Sequence, residues 1–297
     1  NISNDWKLCI FGEGGEEWAT IDGNKKYGGY NIDTSFFRGG FELRLGRDFV
    51  GGAAYGFASP SLYNFSFKGA HGSIDNSVST GSLYLSYQPK SNWEFTVIGT
   101  AGKATSTGNR SFDYTEELYA SGNSRWQSTI YALGLDLGYE HYFNPKKIRY
   151  SPVIRPSINY QWASIDSPSF KETGSGQLAD FNAYSTYANV FGLSLAYEHP
   201  IKLDSDGLAL FIPKLSLDYK YNFNGNNQGL YTISATDQDS GTTYASSARL
   251  LGASSFRASL FGDLNLGDSF SLYGGLSYVL FGSGSGYAVE GGIRVRM

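Results

Sequence analysis

The side chains best suited to acid–base chemistry are three histidines. His71 is followed by Asp75 and could act as a general base with an acidic partner, whereas His141 and His199 follow strand-like stretches. The glycine–serine run around Gly284 lacks the central serine of a nucleophile elbow. No His and Cys cluster has the spacing of a zinc site. The sequence therefore predicts no catalysis, no metal and no cofactor.

A second group of reactive side chains is charged and alternates with apolar residues. In the run 131–140, the leucines lie on one face, and Asp136 and Glu140 lie on the other. Such alternation does not fit a dry core, so we expect a hydrated inner face. The charges either pair with one another or line a hydrophilic conduit. The predicted lumen-lining residues, which would form a translocation path, are Arg38, Glu42, Arg44, Asp136, Glu140, Arg155, Glu198, Lys214, Asp218, Lys220, Arg257, Asp263, Glu290, Arg294 and Arg296.

Period-2 alternation bounded by turn residues positions these charges on β-strands. An even strand count would leave both termini on one side of a barrel. Prolines at 152, 156 and 213 require bulges or later strand starts, because proline cannot donate to a ladder. Twelve strands are predicted to begin near Trp6, Phe36, Val50, Gly81, Trp93, Thr129, Pro152, Tyr187, Leu210, Ser255, Phe270 and Tyr287.

The connections between these strands alternate in length. Outer-membrane barrels have short periplasmic turns and longer extracellular loops, so both termini should be periplasmic. The last outer connection, 282–286, is short and departs from this rule. The short connections are 46–48, 89–92, 144–147, 200–207 and 267–269, and the long ones are 13–34, 59–79, 105–124, 164–185 and 223–249.

The composition is that of a membrane barrel. Only 17% of the residues are charged, and 16% are aromatic, including 23 tyrosines. No run approaches the ~18 consecutive apolar residues of a transmembrane helix, so the chain can cross lipid only as a closed sheet. A net charge of -4 argues against nucleic acid as a partner. The expected fold is an all-β, closed antiparallel transmembrane barrel of about twelve strands, in one domain over residues 1–297.

Other architectures and functions fit the pattern less well. A soluble β-sandwich does not need strands of about ten residues, which match a tilted bilayer crossing. A selective porin would favour a constriction of one charge sign. An adhesin acting through aromatic loop residues such as Tyr63 and Tyr231 is another alternative. Inward-facing glycines either leave room for a segment in the lumen or allow the wall to curve.

Several stretches resemble the translocator domain of autotransporters, the type V secretion barrels of Gram-negative bacteria. Residues 39–57, GGFELRLGRDFVGGAAYGF, are similar to that family's early hairpin. Residues 260–278, LFGDLNLGDSFSLYGGLSY, and the strand 288–296 are similar to its closing hairpin and last strand. The pieces GSLYLSY from Gly81 and YALGLDLGYEHYF from Tyr131 occur in the same order, so the resemblance spans nearly the whole chain.

The resemblance implies a location and partners. It predicts a barrel in the bacterial outer membrane that brings an N-terminal passenger to the cell surface, with a pore or loop-based adhesin as the alternative. The implied partners are the lipid bilayer, lipopolysaccharide, the barrel-assembly machinery and the chain's own passenger segment or helix. The family usually ends in an aromatic residue, where this chain has Met297, and carries a helix before its first strand. We therefore expect a longer precursor upstream of Asn1.

Overall fold

The computed structural model of the protein describes residues 7–23, 28–46, 48–67, 70–89, 92–113, 115, 119–225, 230–249 and 253–297. Twelve long strands form the main sheet within these residues. They are β1 (Leu8–Ile21), β2 (Gly29–Leu45), β3 (Phe49–Phe67), β4 (Ala70–Tyr87), β5 (Trp93–Asp113), β6 (Tyr119–Tyr139), β7 (Val153–Ser167), β8 (Tyr184–Glu198), β9 (Ala209–Asn222), β10 (Ser254–Leu266), β11 (Phe270–Phe281) and β12 (Gly284–Arg296).

Short elements occupy the connections. Two 3₁₀ helices, Pro145–Tyr150 and Phe223–Gly225, follow β6 and β9. Among the described residues, none of the helices has the length and apolar character to cross a membrane. The short strands are His141–Tyr142, Phe170–Lys171, Thr173–Gly176, Ala179–Phe181, Ile201–Lys202, Leu230–Asp237 and Thr243–Arg249.

The long strands close into a barrel. Each is antiparallel to the next along the chain, and β12 returns to pair with β1 from Cys9 opposite Arg296 to Ile21 opposite Gly284. The amide of Lys7 extends this seam by donating to the Met297 carbonyl at 2.9 Å. The predicted twelve-stranded closed antiparallel barrel is therefore confirmed.

Apolar side chains cover the outer face of the barrel. Leu83 on β4 is 70% exposed, and Leu133 on β6, in the same row beyond Gly99 of β5, is also exposed. A soluble protein rarely leaves so large an apolar surface in contact with water. These residues are explained by contact with the acyl chains of a bilayer, which agrees with the predicted outward phase of the strands.

Aromatic pairs mark the two edges of this apolar band. Trp93 and Tyr139 pair near the short turns, with ring centroids 5.0 Å apart, and Trp18 stacks on Tyr287 at 5.1 Å near the opposite edge. Along β6 the outward residues between Tyr131 and Tyr139 span about 27 Å of strand. This is the scale of the hydrocarbon band in an outer-membrane barrel.

The stretches predicted as long outer loops are largely regular ladder, so their predicted boundaries were wrong. β5 and β6 remain paired up to Asp113 opposite Tyr119, about 40 Å of strand beyond Tyr131. β1 through β4 extend outward in the same way. Above the membrane both faces of a sheet meet water, so the apolar alternation disappears although the hydrogen bonds continue. The serine, threonine and asparagine residues of these strand extensions are therefore interpreted as loops when only the sequence is considered.

The inner strand ends are closer to the predictions. The starts predicted at Val50, Trp93 and Phe270 lie within one residue of the observed strands. The start predicted at Trp6 lies outside the described residues, and β1 begins at Leu8. Apolar alternation continues to this edge of the membrane, which is why the sequence locates it well.

Pro156 and Pro213 lie where the pairing with one of the two neighbouring strands ends, while the ladder with the other neighbour continues. Pro152 precedes β7, and Pro156 lies one residue beyond the point where the ladder between β6 and β7 ends at Ser157. The pairing of β8 with β9 is interrupted after Glu198, where the His199 amide donates to the Pro213 carbonyl at 3.1 Å. The missing amides therefore remove no bond from a continuous ladder.

Replacing Leu83 with arginine should strongly destabilise the folded barrel. An outward cation near the bilayer centre costs about 2–4 kcal/mol. Ser77→Arg is the matched control, because Ser77 is exposed on the same face of β4 but above the membrane. Urea unfolding in phospholipid vesicles measures both variants. Equal stability of L83R and S77R would contradict the assigned membrane band.

Candidate functional site

The inward faces of the strands line the lumen, and the ladder determines which side chains lie there. On β2, Phe37 and Phe41 are exposed to the outside, while Arg38 and Glu42 lie on the opposite face. The fifteen charged residues predicted for the lumen occupy the inward strand faces, except that Glu140 follows directly after the end of β6. There its carboxylate accepts a hydrogen bond from the hydroxyl of Tyr142.

Many of these charges are paired along the wall rather than left free. Arg155 is close to two carboxylates, Asp136 at 3.4 Å and Glu94 at 2.8 Å. Arg38 pairs with Glu13 on the adjacent strand. Two further ion pairs are Lys214–Glu198 at 3.1 Å and Arg257–Glu17 at 3.3 Å.

Several of these contacts pass over an inward-facing glycine. Tyr84 on β4 crosses Gly52 on β3, and its hydroxyl donates to Glu42 on β2 at 2.8 Å. A Cβ at Gly52 would overlap the Tyr84 ring. In the same way, Tyr273 on β11 crosses Gly292 and donates to Glu13 on β1. Glycine thus allows a long side chain to lie flat along the wall and connect alternate strands.

This arrangement explains the inward glycines that the sequence left open between lumen space and curvature. A Cβ at Gly138 would come within 2.8 Å of the Arg155 guanidinium, and one at Gly134 within 2.6 Å of Ile98. Gly275 lies under the ring of Phe261 in the same manner. The groups accommodated over these glycines are neighbouring side chains of the wall itself.

A different environment surrounds the arginines near the periplasmic end. Within the described part of the chain, Arg294 and Arg296 have no ion-pair partner, although the Arg294 guanidinium lies 5.9 Å from the ring centroid of Tyr273. Arg294 Nε and Arg296 Nη1 are buried without a hydrogen-bond partner among these residues. Among the described residues, Lys220, Asp263 and Glu290 likewise have no salt bridge. Within the described residues, charges without a salt bridge therefore occur between ion pairs at several heights of the lumen.

Sequence reasoning missed three acidic residues of the lumen. Glu13 and Glu17 were placed in a predicted outer loop, yet they lie on β1 and pair with Arg38 and Arg257. Glu94 is the second residue of β5, where too little alternation precedes it to fix its face. The spacing of Glu13, Gly15 and Glu17 is a period-2 signal that could have revealed the first two.

The three histidines do not form a site. His71 lies on the outer extension of β4, His141 contacts Phe143 at the opposite end, and the His199 ring nitrogen is hydrogen-bonded to the Tyr197 hydroxyl at 2.8 Å. Across the described ranges, no group of three or more His, Cys, Asp or Glu side chains is arranged to hold a metal ion.

The connection between β7 and β8 folds against the inward face of the β5–β6 extension. Thr173–Gly176 pairs with β6 beyond the point where β7 has left it. Phe170 stacks on Trp126 at 4.3 Å and on Phe181 at 4.7 Å. Residues 168–183, with the hairpin of Leu230–Asp237 and Thr243–Arg249, are called the outer cover below.

An ion pair fastens the outer cover to the wall. The Arg110 guanidinium donates two hydrogen bonds to Glu172, at 2.9 and 2.6 Å, and the Glu172 side chain is only 3% exposed. Glu172 also accepts from the Ala179 amide at 2.9 Å, and its own carbonyl accepts from Gln238 at 3.0 Å. The hydrogen bonds with Glu172 raise the pKa of Arg110 above its ordinary value. Through its carboxylate and its backbone carbonyl, Glu172 therefore joins the wall, the β7–β8 connection and the hairpin turn.

The turn of the hairpin is stabilised by Asp237. The backbone amides of Ser240 and Asp239 donate to its carboxylate at 2.7 and 3.1 Å, and the hydrogen bond from Ser240 lowers the pKa of Asp237. Because the folded pKa is depressed, this stabilisation is present at neutral pH. It is lost as the pH falls below the ordinary value of about 3.9 through the folded pKa.

Comparisons with known proteins agree with this architecture. A family model described as "Autotransporter beta-domain" matches residues 10–277. The translocator domain of the autotransporter NalP from Neisseria meningitidis superposes with a TM-score of 0.71 at 14% identity, covering 98% of this chain and 88% of that one. The beta domain of the Bordetella autotransporter BrkA gives 0.65 at 12% identity, covering 97% and 99%.

A third similar structure is the transport unit of the autotransporter AIDA-I from Escherichia coli. It gives a TM-score of 0.55 at 13% identity, covering 98% of this chain and 89% of that one. At such identities the likeness shows the fold, while the family model carries the assignment. No curated protein matches the sequence at a significant level.

Gly52→Ala should destabilise the barrel by displacing the Tyr84 ring and its bond to Glu42. Added volume in a packed position costs about 1–3 kcal/mol. Gly81→Ala is the matched control, since a Cβ at Gly81 meets nothing within 4 Å. Unfolding by urea in vesicles should separate the two variants. Equal free energies of unfolding would show that Tyr84 can leave Gly52 at no cost.

Glu172→Gln should loosen the outer cover while the barrel stays folded. A hydrogen bond to a charged group contributes about 1.5–3 kcal/mol, so amide exchange at Ala179 and in Thr173–Gly176 should accelerate at least tenfold. Asp180→Asn is the control, because Asp180 pairs with a Lys171 side chain that is 75% exposed. Unchanged exchange in E172Q would show that the aromatic stack holds the cover without the ion pair.

Proposed function

Because the chain belongs to the autotransporter β-domain family, we propose that its lumen is the route by which a passenger attached upstream of residue 1 reaches the cell surface. The barrel lies in the bacterial outer membrane and serves passenger translocation. The observation that carries the proposed route is the closed ladder, which surrounds a charged inner face with an apolar outer one.

The fifteen predicted charged residues form the wall of this route in the proposal. Ion pairs such as Lys214–Glu198 keep both charge signs along the wall. A wall of paired charges attracts neither acidic nor basic segments strongly, so a passenger of varied sequence can pass it. Side chains that lie flat over Gly52 and Gly292 leave the middle of the lumen to the translocated chain.

The occupant is the passenger segment or a helix of the same polypeptide. An α-helix with side chains is about 10–12 Å across. Twelve strands lie between the eight of a barrel whose interior side chains can fill and the sixteen or more of an open channel. One helix or an extended hairpin suits this intermediate lumen, whereas a folded domain does not.

Export further requires the outer cover to move. Arg110 and Glu172 hold the cover against the inward face of the extension, on the extracellular side of the lumen. The ion pair depends on a single carboxylate, that of Glu172. The cover pairs with β6 through only four residues. We propose that the passing chain displaces the cover and that the cover closes again afterwards.

The proposal includes two partners outside the chain. The barrel-assembly machinery would bring β1 and β12, at opposite ends of the sequence, together within the membrane. Lipopolysaccharide phosphates would contact Lys103. Ala101 on β5 is opposite Tyr131 of the outer aromatic edge, and Lys103 is the next outward residue on that strand. An amine at this height can reach the headgroups.

The chain itself is proposed not to be an enzyme. The support is the wide separation of its histidines, with His71 on the extracellular extension and His141 and His199 at the periplasmic edge. A general base requires a nucleophile or acidic partner within hydrogen-bond reach. Among the described residues, the side-chain hydrogen-bond partner of His199 is a tyrosine, Tyr197.

The proposed route is tested by locking the cover in the full-length precursor, with an epitope in its passenger. Ser121 and Ser175 are opposite one another in the ladder, so Ser121→Cys with Ser175→Cys can form a disulfide between cover and wall. Thr105→Cys with Gln127→Cys is the matched control, because it joins β5 and β6 only. Surface labelling of the epitope in intact cells gives the readout.

We expect the S121C/S175C lock to reduce surface labelling at least tenfold, with recovery on reduction, and the control pair to label normally. Normal labelling of the oxidised lock would show that the passenger does not pass the cover. A precursor with only a signal peptide before residue 1, together with steady ion conductance, would instead support a pore. A precursor of that kind that binds cells through its own loops would support an adhesin.

A further inference from the structure

Side-chain contacts join three periplasmic turns into one platform. Arg149, in the 3₁₀ helix after β6, donates to the Gly207 carbonyl at 3.2 Å and pairs with Asp268 at 3.1 Å. The Lys202 amine lies 4.0 Å from the ring centroid of Tyr150. These contacts connect the turns after β6, β8 and β10. The residues that project from this platform are therefore held in place.

Residues 143–148 project a mixed apolar and basic surface from the platform. Phe143 is 58% and Ile148 44% exposed, and the two lysines between them, Lys146 and Lys147, are also exposed. The segment FNPKKI contains no acidic residue. Arg149, which follows it, is occupied by Asp268. Within the described part of the chain, the amines of Lys146 and Lys147 therefore have no ion-pair partner, and the two lysines lie between two exposed apolar residues in the sequence.

This surface is continuous with the lipid-facing band. The Phe143 ring lies edge-on to His141, with centroids 5.6 Å apart, directly after Tyr139 of the inner aromatic edge. Ile201, on the neighbouring turn, pairs with the outward-facing Phe211 of β9. The exposed apolar residues thus follow the outer wall of the barrel to the height of the inner-leaflet headgroups.

We propose that residues 143–148 are a binding site for an anionic phospholipid of the periplasmic leaflet. Lys146 and Lys147 bind the phosphate, and Phe143 and Ile148 contact the upper acyl chains. Basic residues next to a membrane surface attract anionic lipids, and a long amine stem can lie on an apolar surface while its head reaches the phosphate. Asp204 and Asp206, on the turn after β8, carry the opposite charge and would repel the same headgroup.

A membrane lipid suits this surface better than a periplasmic protein. Lipid is already present along the adjoining apolar band, so covering Phe143 and Ile148 does not require a separate protein partner. The net positive charge selects lipids with net negative charge over zwitterionic ones. Phosphatidylglycerol should therefore be retained over phosphatidylethanolamine.

The test is native mass spectrometry of the refolded chain released from vesicles that contain equal amounts of the two lipids. The wild-type barrel should retain phosphatidylglycerol about tenfold over phosphatidylethanolamine. Lys146→Gln with Lys147→Gln should remove that preference. Arg125→Gln with Lys171→Gln is the control, since it also removes two exposed cations, on the extracellular side of the membrane.

The variant Phe143→Ser with Ile148→Ser distinguishes specific lipid binding, which needs the apolar contacts, from nonspecific electrostatic attraction. This variant keeps both lysines, and its retained phosphatidylglycerol should fall severalfold at constant salt. Unchanged preference in K146Q/K147Q, or an equal loss in the R125Q/K171Q control, would overturn the proposal. Equal retention of both lipids by the wild type would also overturn it and direct attention to a periplasmic protein partner.

Discussion

The pairing of β1 with β12 is the constraint on which the rest of the structure depends. In a bilayer, each backbone amide and carbonyl without a partner costs several kcal/mol, so an open sheet edge cannot remain in lipid. The seam from Cys9–Arg296 to Ile21–Gly284 removes both edges at once. Once it closes, each strand has a fixed inner and outer face. The positions of all lumen and lipid contacts follow from that register.

In the closed wall, many charged side chains of the lumen are compensated by ion pairs with nearby strands. Charged side chains facing a narrow lumen would be costly if desolvated alone, and the wall pairs them with neighbours one to three strands away. The glycines at 52, 138 and 292 make the longer reaches feasible, because a Cβ at each would meet the crossing side chain. The same inward residues therefore stabilise the barrel and leave a hydrated path. No single side chain has to carry transport.

The two ends of the barrel are built for different surroundings. On the extracellular side, β5 and β6 continue far above the membrane and carry a cover fastened by Glu172. Its few ladder bonds and single buried carboxylate suit an element that moves. On the periplasmic side, Arg149 joins short turns into a platform at the lipid headgroups. The turns at this end are joined to one another, whereas the proposed movement of the cover takes place at the other end.

The sequence by itself determined the class of fold, the number of strands and the phase of each strand within the membrane. Leucines at 133, 135 and 137 had to face lipid, which placed Asp136 inside. This information is local, because a strand alternates faces every residue and the bilayer contrasts the two faces strongly. Where the contrast ends, above the membrane, the pattern lost its signal and regular ladder was taken for loop.

Only the tertiary structure decided which residues meet. Arg110 and Glu172 are 62 positions apart, and Tyr273 and Glu13 are 260 positions apart. Neither pair shares a strand or a hairpin, so no local period relates them. Their contact depends on barrel closure and on the path of the β7–β8 connection across the extension. The sequence states which side of a strand a residue occupies, whereas the closed ladder determines its partner.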